Sequence, residues 1–276
     1  MKQYVSSQWK EMLTFNHLFD FDTLWQLKTD WVEPPNYRRG GWSGVSKISL
    51  KSPEGAFVEV YLKRQENHCT RSFRHPLKGY STFQREAIHI LDFQSLGIPS
   101  LELVYFEERW HEGNNQAILM TKALTGYEPF DDWWQQQSSI KDSSDLKKKA
   151  LYEFAKVVKK MHDHEYCHGA LYPKHTYVKE NEKQGIDIRL IDLEKTYHWP
   201  FKGRVLKDLG TLYKRAALCS STDKIRFLKY YESEEPFPCA SLKLTAPMGK
   251  IATVVAKRRR KKQIKKERRE QHDSDS

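Results

Sequence analysis

The chain has 276 residues, of which 38% are hydrophobic and 13% aromatic, and a formal net charge of +11. That composition is globular, long enough to bury a sizeable core as one large domain or two lobes, and it excludes disorder for the bulk of the chain. No apolar run approaches the ~20 residues of a membrane span, the first residues hold no apolar signal core, and Cys69, Cys167, Cys219 and Cys239 form no C-x-x-C pair, which fits reduced thiols.

In chain order, residues 1–36 predict an aromatic, helix-like lead with Trp9, Phe15, Leu18, Phe19, Leu24 and Trp25, closed by Pro34-Pro35. A β-hairpin is expected over 45–63. Val45 to Lys51 and Phe57 to Lys63 are rich in β-formers, and Ser52-Pro53-Glu54-Gly55 is good turn chemistry. Just before it runs Arg38-Arg39-Gly40-Gly41-Trp42-Ser43-Gly44-Val45. Glycines there let backbone N–H groups approach a phosphate, so Gly41 and Gly44 are candidate nucleotide-loop positions. Such a stretch is equally an ordinary glycine-rich hairpin turn.

A helix is expected over 81–96, with Ser81 and Gln84 as a capping box, a stripe of Phe83, Ala87, Ile90 and Leu91, and a stop at Gly97 and Pro99. Strands at Leu101 to Phe106 and Ala117 to Lys122 follow, joined by a loop with Gly113-Asn114-Asn115. Trp133, Trp134 and three glutamines lead into a polar loop. Ser144 or Asp145 then caps a long helix to about His162, with Leu146, Ala150, Leu151, Phe154, Val157, Val158 and Met161 on its apolar face. Short strands are expected at Tyr177-Val178 and Ile188 to Ile191, and a mostly helical pattern over 204–240. The implied domains are the lead at 1–36, a β-rich lobe at 37–125, a helical lobe at 126–242 and a basic tail at 243–276.

In that tail, Lys257 to Ser276 holds ten Lys/Arg and four Asp/Glu, a net +6 of the total +11. The 257–269 block is either a solvated, partly helical tail or a ligand for anionic lipid, at roughly 1 kcal/mol per cation near the surface. Nucleic acid, attracted by counterion release, ranks below these.

Four places could carry chemistry. Lys63 ends the strand Val60-Tyr61-Leu62-Lys63, where a cation can grip nucleotide phosphates; alone it is equally a surface lysine on an edge strand. Glu86 sits near the inward face of its helix and could orient Lys63, or be an ordinary helix carboxylate paired with Arg85 or His89. Asp192 follows the apolar run Ile188-Arg189-Leu190-Ile191, as suits a Mg²⁺ ligand. The run Met161-His162-Asp163-His164-Glu165-Tyr166-Cys167-His168-Gly169-Ala170-Leu171-Tyr172-Pro173-Lys174-His175 matches the kinase catalytic loop L-H-x-x-x-x-x-H-R-D-L-x-x-x-N. Its His162, His164, Cys167 and His168 also suggest zinc, but the spacing crosses a helix end and suits the kinase loop better.

The order of these features resembles the lipopolysaccharide kinase family (InaA/WaaP type), InaA-like members most of all, from about Tyr37 to Leu218. The resemblance is carried by Tyr61-Leu62-Lys63-Arg64-Gln65, Thr82-Phe83-Gln84-Arg85-Glu86, Gly97-Ile98-Pro99-Ser100, Leu171-Tyr172-Pro173-Lys174-His175, Ile191-Asp192-Leu193-Glu194-Lys195 and Lys207-Asp208-Leu209-Gly210. It implies an α+β, two-lobed protein-kinase-like fold with a small β-rich N-lobe and a mainly helical C-lobe. It implies ATP and Mg as cofactors, with Gly41, Gly44, Lys63 and Glu86 binding nucleotide and Asp192 and His175 at the metal. His168, Lys63 and Asp192 form the catalytic set, and Asp208 anchors the loop. The implied reaction is γ-phosphate transfer to a sugar hydroxyl, of the lipopolysaccharide-core heptose type, in the cytoplasm at the inner face of the inner membrane. Gly169-Ala170 stands where an active kinase has Arg-Asp, so a pseudokinase or scaffold at the inner membrane is the alternative expectation.

Overall fold

The structure, a computed structural model of the chain, describes residues 1–38, 40–72, 75–141, 143–181, 185–200, 203–233, 249–251 and 253. Arg39, Cys239 and the 257–269 basic block lie outside the described residues. Two compact units divide the chain: Met1–Tyr127 with Arg189–Thr196, and Glu128–Ile188 with Tyr197–Ser276.

The first unit is built in the order β1 (Gln3–Val5), α1 (Ser7–Phe15), α2 (Phe21–Gln26), β2 (Trp31–Arg38), β3 (Gly41–Lys51), β4 (Phe57–Glu66), β5 (Cys69–Ser72), β6 (His75–Ser81), α3 (Thr82–Ser95), β7 (Leu103–His111) and β8 (Asn114–Lys122). Six strands form an antiparallel sheet in the order β1-β7-β8-β4-β3-β2, while β5 and β6 pair separately. Alternation along β4 decides what each face does. Val60 and Leu62 enter a core with Trp9 and Leu13 of α1, Phe21 and Leu24 of α2, and Tyr105 and Met120 of the neighbouring strands. Each such fully buried side chain contributes about 1.5–3 kcal/mol. Lys63 alternates to the opposite face, the one α3 covers.

The lead is therefore not wholly helical. β1 pairs with β7, and Pro34-Pro35 lie inside β2 rather than closing a helix. Proline cannot donate to a ladder, so it is confined to edge strands and irregularities; β2 is an edge, with register shifts on either side of Glu33. Arg64 ties this segment down: its guanidinium donates to the Trp25 and Leu27 carbonyls (2.9 and 2.8 Å) and lies over the Trp31 ring. The hairpins also run longer than β-propensity alone predicts. β7 and β8 meet at Glu112-Gly113, both at positive φ, as a two-residue turn.

α3 starts where its cap predicts. The Ser81 hydroxyl accepts from the Gln84 amide at 3.0 Å. The reciprocal half of the capping box is absent, because the Gln84 side chain donates to the Met1 carbonyl and the Ser81 N–H donates to Glu108. Its buried face is Phe83, Glu86, Ala87, Ile90 and Phe93, the last at i+3 from Ile90 in place of the expected Leu91.

The second unit comprises β9 (Glu128–Pro129), α4 (Phe130–Ser138), α5 (Ser144–Asp163), β10 (Tyr166–Cys167), β11 (Thr176–Glu180), β12 (Ile186–Leu190, whose last two residues belong to the first unit), β13 (Tyr197–His198), α6 (Gly203–Arg215) and α7 (Ser221–Glu232). Trp133, Trp134 and the three glutamines form the helix α4, and the expected polar loop follows it from Ser139 to the start of α5. Phe130, Trp133 and Trp134 fall at i, i+3 and i+4, and Asp131 and Asp132 suit the N-terminal turn of α4. Phe130 packs on Phe154 of α5, which meets Phe227 of α7, with ring centroids 5.1 and 5.2 Å apart. Glu180 of β11 accepts from Trp133 Nε1 and Gln137 Nε2, so the buried indole is satisfied. α7 begins with a complete capping box between Ser220 and Asp223.

Candidate functional site

Lys63 is not a surface lysine at the end of an edge strand. β4 continues to Glu66, and Lys63 stands between Val45 of β3 and Leu119 of β8 in the sheet interior. Its ammonium meets the Glu86 carboxylate of α3 at 2.7 Å, with side-chain exposures of 21% and 4%. Burial alone would lower the Lys63 pKa; the Glu86 carboxylate, aided by Asp192 and Glu33, outweighs it, and the net shift is upward. Strand period and helix cap together produce this pair: period two aims Lys63 at α3, and the Ser81 cap sets the helical phase that turns Glu86 inward.

Asp192 lies in the first unit because the chain returns there at Arg189. Leu190 bridges to Ser100 in parallel, its N–H donating to the Pro99 carbonyl at 3.1 Å. Asp192 follows in the left-handed region, φ 58° and ψ 56°, and starts a 3-10 turn at Leu193–Lys195. Asp is one of the few non-glycine residues that enters this region readily. The Arg85 guanidinium of α3 donates to the Thr196 carbonyl at 3.4 Å, fastening the far end of that turn. Burial, then the nearby Glu86 and Glu194 carboxylates, push the Asp192 pKa up to about 7, against the opposing pull of Lys63 and Lys195. Glu194 was not singled out from the sequence; only the fold shows that its charge bears on Asp192.

The glycines divide by what surrounds them. Gly40 sits at positive φ with open space where a side chain would stand. A Cβ at Gly44 would come within 2.7 Å of the Trp31 ring, and one at Gly41 would collide with the Glu66 carbonyl. Protein packing therefore requires the missing side chains at 41 and 44, whatever else approaches their backbone.

In the second unit the loop after α5 is fastened by one carboxylate. Asp208 of α6 accepts from the His168 N–H at 2.6 Å, from the Gly169 N–H at 3.0 Å, and from His162 Nε2 at 3.4 Å. Since a carboxylate only accepts, His162 Nε2 carries the proton and Nδ1 accepts from the Tyr231 hydroxyl at 3.0 Å. Tyr231 has no motif to announce it; its burial on α7 is the sole signal. Ala170 is buried, and its carbonyl accepts from His175 Nδ1 at 3.0 Å. That bond fixes the proton on Nδ1 and leaves Nε2 of a neutral His175 as the atom able to accept or ligate. His175 stacks on His168, ring centroids 6.1 Å apart, and tilts against Tyr172 at 4.9 Å.

The zinc reading is resolved differently from its sequence form. His164 is exposed, and among the described residues the ligand atoms that converge within 4.8 Å are those of His162, Cys167 and Asp208. Both Asp208 oxygens already accept hydrogen bonds, and burial, then Asp208, push the Cys167 thiol up to about 11. Through these bonds Asp208 fastens the loop backbone to α6.

The first unit thus brings Lys63, Glu86 and Asp192 together; the second holds His168, Ala170 and His175 on one loop that Asp208 of α6 anchors. Comparison with known proteins shows what the chain is similar to. The lipopolysaccharide kinase (Kdo/WaaP) family profile matches residues 22–231. Protein InaA of Escherichia coli (strain K12) is 32% identical over 177 residues, 64% of this chain and 78% of InaA. The solved structure of WaaP in complex with acyl carrier protein aligns with a TM-score of 0.65 at 17% identity, over 93% of this chain and 99% of that one. The fold is accordingly the α+β protein-kinase-like one, and the chain belongs to the lipopolysaccharide kinase (Kdo/WaaP) family.

Proposed function

We propose that the protein is an ATP- and Mg²⁺-dependent kinase that phosphorylates a hydroxyl of a lipopolysaccharide-core sugar of heptose type. The observation that carries this reading, in a chain of this family, is the Lys63–Glu86 ion pair at 2.7 Å with Asp192 in its field. Lys63 holds nucleotide phosphate oxygens, and Glu86 fixes the ammonium for that task. Asp192 fits a divalent cation, because its half-buried carboxylate lies in the field of the Glu86 and Glu194 carboxylates, which the Lys63 and Lys195 charges only partly offset. His175 contributes Nε2, as a metal neighbour or to orient phosphate, and His168 belongs to the same loop. Bound MgATP supplies the transferable phosphoryl group and neutralises charge on its oxygens. Asp208 holds the loop backbone, and so the acceptor side, in one conformation.

Incubation with labelled ATP, Mg²⁺ and core oligosaccharide tests the proposal. Label is expected on the sugar and is lost with Asp192→Ala; no transfer, or transfer indifferent to that substitution, refutes it. Ala170 favours a second reading, a pseudokinase that binds nucleotide without turnover. A methyl group cannot orient or accept a hydroxyl proton, help usually worth about 10²–10⁴-fold. A thermal shift with MgATP in the absence of any transfer selects that reading, and robust turnover removes it.

The net +6 tail suits an anionic inner-membrane surface, where a lipid-linked acceptor would lie. No helix among the described residues is long and apolar enough to cross a membrane. Salt-sensitive cosedimentation with anionic vesicles, lost on deleting 257–276, is expected. Salt-sensitive binding to RNA or DNA in place of vesicles would assign the tail to nucleic acid.

A further inference from the structure

Lys63–Glu86 is not the sole tie between β4 and α3. Two residues further along the same strand face, Gln65 is fully buried, and its Oε1 accepts from the Thr82 hydroxyl at 2.8 Å. Thr82 is the first residue of α3, four before Glu86. Two strand residues span ~6.6 Å and four helical residues rise ~6 Å. The pairs Lys63–Glu86 and Gln65–Thr82 are therefore equally spaced on both elements, which run in opposite directions past each other.

The surrounding bonds leave the Gln65 amide one orientation. Its Nε2 donates to the His68 carbonyl at 2.9 Å, so Oε1 must face Thr82. The Thr82 N–H also donates to the His68 carbonyl, and its hydroxyl oxygen lies 3.3 Å from His68 Nδ1. Next to it, Ser81 gives its N–H and hydroxyl to Glu108 of β7, which also takes the Asn115 amide of β8 at 2.6 Å. The start of α3 is thus bonded to β4 and β7, and through Glu108 to β8 between them.

We infer that Gln65 and Thr82 are positioning residues: their hydrogen bond locks α3 one turn ahead of Glu86 and holds the Glu86 carboxylate on Lys63. The inference rests on reading that pair as the nucleotide grip, but its test does not need nucleotide. The Lys63 amine is labelled with trinitrobenzenesulfonate and followed by peptide mass spectrometry in the full chain. Thr82→Val keeps the side-chain shape and removes the donor; it is expected to speed Lys63 labelling about threefold or more, the effect of ~0.5 pH unit on an amine's pKa. Thr82→Ser, which keeps the donor, labels as wild type. In a Glu86→Gln background, Thr82→Val adds nothing, because both act through the same contact. Should Thr82→Val not fold, Gln65→Asn, which withdraws the amide from Thr82, replaces it.

Wild-type labelling in the folded variant, or additive effects with Glu86→Gln, overturns the inference. MgATP affinity is measured alongside: a fall in affinity paralleling the labelling change supports the grip. Absence of nucleotide binding by the wild type refutes the grip alone, since the labelling still decides whether Thr82 positions the pair.

Discussion

Asp192→Asn should stabilise the protein at alkaline pH, although Asp192 is a candidate metal ligand. In the fold its carboxyl pKa rises from an ordinary 3.8 to about 7, through burial and the Glu86 and Glu194 charges. The folded state keeps a proton that the unfolded chain releases between about pH 4 and pH 7, so stability falls as pH climbs through that window. At ~1.36 kcal/mol for each pH unit of displacement, the ionised carboxylate costs up to about 4 kcal/mol above pH 7. Partial exposure and the lost attraction to Lys63 reduce what the amide recovers to about 2 kcal/mol. Urea unfolding without divalent cations, at pH 8 and pH 5, measures it. The variant is expected to be more stable by about 2 kcal/mol at pH 8, with the gain shrinking below about 1 kcal/mol at pH 5, where the folded carboxyl is largely neutral. A variant less stable than wild type at pH 8, or a gain equal at both pH values, refutes the electrostatic reasoning.

Other expectations concern the anchors. Asp208→Asn turns an amide N–H toward a backbone donor and removes charge from three hydrogen bonds; a loss of about 2–3 kcal/mol in urea unfolding and faster Cys167 alkylation are expected. Arg64→Ala leaves the Trp25 and Leu27 carbonyls without their donor; a loss of about 3 kcal/mol and quicker proteolysis near Lys28 are expected, and unchanged proteolysis would show that β2 holds without it. Ala170→Asp restores a proton acceptor to the catalytic-loop position and should raise sugar phosphorylation about 10²-fold or more in the labelled-ATP assay. No gain in a folded variant would place the acceptor hydroxyl away from residue 170.

How much was legible depended on whether a signal was local. α3 could be read from Ser81, its apolar spacing and the Gly97-Pro99 stop, because caps and helical period act within a few residues. The β3–β4 hairpin was equally plain, since Ser52-Pro53-Glu54-Gly55 satisfies its own turn, the Ser52 N–H donating to the Ala56 carbonyl. Pro34-Pro35 misled because proline reads as a terminator unless the strand is known to be an edge. The helix α4 is hard to read from sequence, because the glutamines and serines beside Trp133-Trp134 hide a buried stripe whose partner, Phe154, comes from another helix.

The kinase-like order of elements and the residue types of the site are already legible along the chain. Lys63, Glu86, Asp192 and the His162–His175 loop are chemical identities at set spacings, and spacing is a property of the chain. Tertiary structure alone decided which of them meet and in what charge state. Strand alternation placed Lys63 in the sheet interior against Glu86, and the return of the chain at Arg189 brought Asp192 into their field. Proton positions on His162 and His175 followed from acceptors, Asp208 and the Ala170 carbonyl, that only folding supplies. Contact energies at ~3 Å depend on distance and desolvation, and neither exists until distant segments are packed together.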